Sequence, residues 1–211
     1  MPTIICREQA NIANYFLMTS LVVPRPIAWI STQGEDGVAN LAPYSHFNNC
    51  SANPPIIMFS SNGVKDTLRN IRETGEFVVN MVSHELRQQM RVTSANWPPN
   101  ASEFEMAGLE SAPSRFVRPP RVAQARASME CKLRQVLPMG DCFVVFGDVL
   151  CFHVADDVMV DGRVVAERLQ PVGKLDGALY STVTATERLD LPPDMASRVD
   201  DYGNAWGKGT R

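Results

Sequence analysis

From Pro26 to Val160 the chain is built of short β-rich runs punctuated by turn chemistry, with room for only two or three helices. Pro26-Ile27-Ala28-Trp29-Ile30-Ser31-Thr32 is rich in β-branched and aromatic residues, Gln33-Gly34-Glu35-Asp36-Gly37 supplies a turn, and Val38 to Ala42 returns as the second arm of a hairpin. Pro54-Pro55 bars a regular helix, so the apolar run Ile56-Ile57-Met58-Phe59 reads as a buried strand. Helical spacing then covers Asp66 to Thr74, with Lys65 or Asp66 near the N-cap and Gly75 as the stop. Phe77 to Val82 is a further strand, and Ser83 is placed to cap a second helix running to about Thr93. Five prolines between Ser94 and Pro120 make that stretch an irregular covering excursion, with one short helix around Phe104 to Leu109. Met129 to Leu137, Cys142 to Val154 and Val158 to Val160 return to strand character, the first two joined by the turn Pro138-Met139-Gly140-Asp141. Many strands on tight turns suit a mainly β fold, an antiparallel barrel with added helices. A doubly wound nucleotide fold is excluded by the lack of a GxGxxG after any strand.

With 211 residues the chain is long enough for one well-filled domain, and two would each be small. The expected organisation is a single domain over 1–211, with a C-terminal tail from about 184. A formal charge of −3, from 20 basic and 23 acidic side chains, argues against nucleic acid or an anionic membrane as partner. Any anion bound here needs a local site. The N-terminus lacks the pattern of a secretory signal, and Cys142 to Val154, the most apolar stretch, is short and interrupted by Asp148. The expected location is cytoplasmic. Five cysteines without a CxxC pair read as free thiols.

One stretch offers such a local site. In Ser60-Ser61-Asn62-Gly63-Val64-Lys65-Asp66-Thr67, a strand end meets a glycine turn and then a helix start carrying one of only four lysines. Hydroxyl donors, unpaired first-turn N–H groups, the positive end of the helix dipole and a cation are what a phosphate needs. An ordinary capped helix with an exposed lysine fits the same residues. The spacing is not that of a P-loop. A second segment, Asn40 to Asn49, leaves a strand through Pro43 and stays polar and aromatic, as a ligand-facing loop or as a packed one. No G-x-S-x-G is present, and His46, His84 and His153 are too scattered for a hydrolase. His46 and Cys50 alone do not make a metal site, and none is expected.

Taken together, Val23-Pro24-Arg25-Pro26-Ile27-Ala28-Trp29-Ile30-Ser31-Thr32, Asn40 to Asn48, Pro54 to Ser60, Lys65-Asp66-Thr67-Leu68-Arg69-Asn70-Ile71 and Gly75 to Asn80 form five ordered blocks. These blocks resemble the flavin reductase-like, FMN-binding split-barrel family, which includes flavoredoxin and the reductase components of two-component flavin monooxygenases. The similarity continues through Gly147-Asp148-Val149, His153, Asp161-Gly162-Arg163 and Leu169 to Tyr180, covering roughly Met18 to Val183. In the last block Lys174 stands where the family has arginine and Asp176 where it has the first glycine of a pair.

The resemblance implies a six-stranded antiparallel Greek-key split barrel, homodimeric, with FMN as cofactor and NADH or NADPH as the small-molecule substrate. Ser60, Ser61, Lys65 and Thr67 would hold the FMN phosphate, Ser31 and Thr32 would follow the ribityl chain, and Ala42, Pro43, Tyr44, Ser45 and Phe47 would meet the ring, with Asn48 at its edge. Hydride transfer needs aligned rings more than an acid or base, so no triad is expected. His153 is the one catalytic candidate, as a contact to the nicotinamide, although a partly buried strand histidine with one hydrogen bond is the reading its own surroundings favour. The implied activity is an NAD(P)H:flavin oxidoreductase, with a flavin-dependent oxygenase as a possible partner. A flavoredoxin-like electron carrier and a non-catalytic flavin-binding protein are the alternatives.

Overall fold

A computed structural model describes residues 11–98 and 101–190, and Cys6 and the sequence after 190 lie outside them. After helix α1 (Asn11–Leu21) the chain enters seven strands: β1 (Ala28–Gln33), β2 (Ala39–Tyr44), β3 (Phe47–Ala52), β4 (Pro55–Asn62), β5 (Glu76–Met81), β6 (Ala127–Met139) and β7 (Cys142–Val154). Helix α2 (Asp66–Thr74) lies between β4 and β5, and α3 (Arg87–Val92) and α4 (Glu103–Met106) follow β5. All strand pairs are antiparallel, in the order β2-β1-β5-β6-β7-β4-β3.

That order carries the closure. Strands β2 and β3 lie at opposite edges of the sheet, yet only Ser45 and His46 separate them. A two-residue link cannot cross a flat seven-stranded sheet, whose strands stand about 4.8 Å apart, so the sheet curls until its edges meet. The N–H of Ser60 in β4 donates to the carbonyl of His46 at 2.8 Å, at that junction. Counted as one strand bent at Ser45-His46, β2 and β3 give the six strands expected of the split barrel.

Alternation sorts the core into two layers. Ala28, Ile30, Phe59, Phe77, Val79 and Val145 fill the barrel, and the rings of Tyr44, Phe59 and Phe77 pack in series, with centroids 4.8 and 5.8 Å apart. Trp29, Leu41, Leu86, Met90, Phe104 and Val122 form a second layer outside, beneath the helices and the covering excursion. Trp29 is therefore core, and its indole N–H donates to Thr93 Oγ1 at 2.8 Å. Burial of each large side chain in these layers contributes about 1.5–3 kcal/mol.

The excursion is stitched down by polar groups. Asn80 donates to the Trp29 carbonyl at 3.0 Å and accepts from Val122 N–H and Ser128 Oγ, both at 2.9 Å. A separate small sheet pairs Arg25–Pro26 with Val172–Lys174, and the latter with Tyr180–Thr182. The four cysteines of the described residues are unpaired. No helix among them is long and apolar enough to cross a membrane.

Candidate functional site

Helix α2 begins as the sequence predicts. Lys65 occupies the N-cap in extended conformation, no side chain caps the first turn, and Gly75 closes the helix with a φ of 70°, its N–H on the Ile71 carbonyl. The first-turn N–H groups thus face outward with the helix dipole behind them. Asp66 is paired with Arg69 at 2.6 Å, whereas the Lys65 side chain has neither an ion pair nor a hydrogen bond among the described residues, its carbonyl alone accepting the Arg69 N–H at 2.9 Å.

This helix start opens into a cleft of about 320 Å³ whose walls include Asn40, Ala42, Tyr44, Lys65, Thr67 and Trp97. Asn40 Nδ2 donates to Thr67 Oγ1 at 3.0 Å, leaving the threonine O–H free to donate into the cleft. Tyr44 is buried, and its hydroxyl lies beside those of Thr67 and Ser61 without a well-directed bond to any partner. Burial pushes the Tyr44 phenol pKa up against the pull of those two hydroxyls, so it is a proton donor throughout the physiological range. An unpaired buried hydroxyl is costly unless something else binds it. Glu103 also reaches this wall, accepting the Leu41 N–H at 3.1 Å, and burial raises its carboxyl pKa.

The structure divides the residues singled out from the sequence. Ala42, Tyr44, Lys65 and Thr67 share the cleft. Pro43 and Ser45 point to the other side of the same strand, where they line a second cleft with Arg91 and Lys174. Phe47 and Asn48 line a third groove, beneath α1. Ser31 and Thr32 are fully buried: the Ser31 hydroxyl donates to the Pro120 carbonyl at 2.5 Å, and Thr32 Oγ1 accepts from Asn70 at 3.1 Å. Those hydroxyls serve the core and do not reach a cleft. Ser61 is likewise buried and donates to the Gly63 carbonyl at 2.9 Å, shaping the turn before Lys65, while Ser60 sits in the β4–β7 ladder opposite Val144.

His153 is drawn elsewhere. Its Nε2 lies 2.5 Å from Glu130 Oε1, and Glu130 is fully buried in β6. The Glu130 carboxylate also accepts the N–H groups of Arg115 and Phe116, at 2.7 and 2.6 Å. Cys151 completes a group of three whose ligand atoms lie within 4.8 Å of one another. With both oxygens of Glu130 committed to N–H donors of the covering excursion, the group is a hydrogen-bonded clamp on that excursion, and His153 is held in it rather than at the cleft.

The sequence reading missed Trp97 and Glu103 as cleft residues, and it placed Asn40 in the ligand-facing segment without giving it a role. Asn40 was legible in principle, two residues before Ala42 and so on the same face of β2. Trp97 and Glu103 lie in the proline-rich stretch, where no periodicity tells which way the chain folds back.

A closed antiparallel barrel with an anion-suited helix start on its rim defines a flavin-binding split-barrel protein. Residues 18–168 match the flavin reductase like domain, and the chain belongs to that family. It is 39% identical to nitrilotriacetate monooxygenase component B from Bacillus cereus, with a TM-score of 0.84 over 90% of this chain and 98% of that one. It is 33% identical to 2-nitrobenzoate 2-nitroreductase from Pseudomonas fluorescens, again with a TM-score of 0.84, over 90% and 97%. An uncharacterized protein of Aquifex aeolicus is 44% identical over 182 residues, 83% of this chain and 93% of its own.

Proposed function

We propose that the protein is an FMN-dependent oxidoreductase that accepts hydride from NADH or NADPH and passes reduced flavin, or its electrons, to a partner oxygenase. The observation that carries this reading is the cleft at the start of α2, where an unpaired Lys65, an uncapped helix turn, the Thr67 hydroxyl and the orphaned Tyr44 hydroxyl converge. These groups fit a phosphate ester attached to a polar ring system. FMN bound there supplies a ring that takes up a hydride and returns electrons.

The chain's own residues do the holding. Lys65 provides charge, the first-turn N–H groups of α2 and Thr67 Oγ1 provide donors, and Asn40 fixes Thr67 in the donating orientation. Tyr44 gives one donor at the inner wall, and Ala42 and Trp97 give apolar surface that excludes water. No step is assigned to His153, which the Glu130 clamp occupies. The likeness to nitrilotriacetate monooxygenase component B supports the oxygenase partner. A homodimer is part of the proposal, supported by the exposed Tyr15, Phe16, Met18 and Leu21 of α1 and by Val22. The setting is the reducing cytoplasm, consistent with free thiols.

The test is an anaerobic titration of the FMN-loaded protein with NADH and then NADPH, following the oxidised flavin's visible absorbance. Rapid bleaching by one donor is the expected result. A stable yellow complex that neither donor reduces would overturn the reductase reading in favour of an electron carrier.

A further inference from the structure

At the centre of the clamp on the covering excursion, Glu130 is fully buried, and its one ion-pair partner among the described residues is the His153 imidazole. A buried carboxylate is ordinarily matched by a full cation or by a metal ion. Here no lysine or arginine side chain among the described residues pairs with it, and its other donors, the backbone N–H groups of Arg115 and Phe116, are neutral. Each carboxylate oxygen can accept at two positions. Oε1 uses both, for His153 and for the Arg115 N–H, whereas Oε2 accepts the Phe116 N–H and keeps one position free.

Strand pairing sets two further donors on the same side of the sheet. Cys151 in β7 is the register partner of Glu130 in β6, so their side chains share a face, and His153, two residues further along β7, joins them. The register shifts between Val149 and Cys151, an irregularity of the kind that re-aims a side chain. Cys151 Sγ lies 3.8 Å from His153 Nε2, and the ligand atoms of all three residues lie within 4.8 Å of one another. Tetrahedral zinc, with bonds of about 2.0 Å to nitrogen and oxygen and about 2.3 Å to sulfur, sets nitrogen and sulfur about 3.6 Å apart and nitrogen and oxygen about 3.3 Å apart. The thiol is therefore already near its place. Nε2 and Oε1 stand at the hydrogen-bonded distance of 2.5 Å, so an ion that replaces their shared proton parts them by about 0.8 Å. His153 and Cys151 are half-buried, which leaves an open side for the ion to enter and for water to bind it.

We propose that Glu130, Cys151 and His153 bind one divalent ion of the zinc class, with water in the remaining position. A thiolate, an imidazole and a carboxylate suit zinc, whereas magnesium and calcium take oxygen donors. Binding releases the Cys151 thiol proton and moves the imidazole proton to Nδ1, so that the sulfur and Nε2 each give a lone pair to the ion. The Arg115 and Phe116 N–H groups stay on the carboxylate and orient it, as outer-shell partners of a metal do. The ion then ties to β6 and β7 the same excursion that carries Trp97 and Glu103 to the Lys65 cleft. His46 and Cys50, the pair noted in the sequence, have no such third donor beside them among the described residues. The site is separate from the flavin cleft and does not rest on the function proposed above.

The probes are zinc, followed by calorimetry, and cobalt(II), followed by difference absorbance, each added to the untagged full chain as purified, with its thiols kept reduced. Cys151→Ala removes a ligand without touching the hydrogen bonds of the clamp, and His153→Gln removes a ligand while keeping a donor beside Glu130. A triple variant, Cys6→Ser with Cys50→Ser and Cys142→Ser, removes other thiols and leaves Cys151 and the buried Cys131. The expected result is one zinc per chain, in competition with cobalt(II), whose complex shows a thiolate-to-metal charge-transfer band and the d–d bands of a tetrahedral site. Cys151→Ala should abolish the charge-transfer band, and each single variant should weaken zinc binding at least about tenfold. The triple variant should keep both signals. Zinc should also raise the melting midpoint of the wild type and not that of Cys151→Ala, whose midpoint without added metal, equal to that of the wild type, shows that it folds. No saturable zinc binding by the wild type, equal binding by Cys151→Ala and His153→Gln, or loss of the charge-transfer band in the triple variant would overturn the proposal.

Discussion

Tyr44 and Glu130 are buried polar side chains with opposite needs. The Tyr44 hydroxyl has no well-directed hydrogen bond among the described residues, although the Thr67 and Ser61 hydroxyls lie beside it, and removing it should relieve the folded protein while depriving a ligand of a donor. Tyr44→Phe should leave the melting midpoint of the FMN-free protein equal or higher, by up to about 1 kcal/mol in stability, and weaken FMN binding by a similar amount. A destabilised FMN-free protein with unchanged FMN affinity would contradict that assignment. Glu130 is fully satisfied, by His153 and two backbone N–H groups. Burial pushes its carboxyl pKa up, but the Arg115 N–H, the His153 imidazole and the Phe116 N–H together hold it below its ordinary value. A carboxyl lowered on folding contributes stability that is complete above its unfolded pKa of about 4.3 and is lost as pH falls through the folded value. Glu130→Gln should therefore cost about 1.5–3 kcal/mol near neutral pH, and the gap to wild type in denaturant midpoints should close in acid. A gap independent of pH would mean that the carboxylate charge does not hold the clamp.

At the scale of elements, the barrel depends on one close approach. Gly147 in β7 has Phe77 so near that an added Cβ would lie 2.3 Å from the end of the ring. That ring is fully buried between Phe59 and neighbouring strands, so it has little room to retreat. Gly147→Ala should cost about 1–3 kcal/mol in urea or guanidinium unfolding, and an unchanged midpoint would show that the ring can move. The strands around it were legible in the sequence wherever burial imposed a pattern. Pro26 to Thr32 and Ile56 to Phe59 carry β-branched and aromatic residues because both faces of β1 and one face of β4 are packed. Strand β3 was not legible: Asn48, Asn49 and Cys50 are exposed at the sheet edge, and only pairing with β4 makes them a strand. Helix α1 was missed for want of a cap or a clear apolar stripe. Around Ser83 the cap position was right, but its hydroxyl bonds nothing there and a 3-10 turn precedes α3. The anion-suited start of α2 was readable because it is local chemistry. The inward turn of the Ser31, Thr32 and Ser61 hydroxyls was not, since a serine on a strand declares its face only once the register is fixed.

For the molecule as a whole, closure of the sheet by the short link at Ser45-His46 sets β2 between two clefts, one beside Lys65 and one beside Arg91 and Lys174. The apolar side chains left outside on α1 predict self-association: sedimentation equilibrium should return twice the chain mass, and a single-chain mass at micromolar concentration would contradict the homodimer. The central claim, that this chain holds FMN through the start of α2, is tested most directly by titrating the FMN-free wild type and Lys65→Ala with FMN and following flavin fluorescence. The account predicts saturation at one FMN per chain for the wild type and a loss of about 1.5–3 kcal/mol in binding for the variant. Equal dissociation constants, or a wild type that binds no FMN, would contradict it.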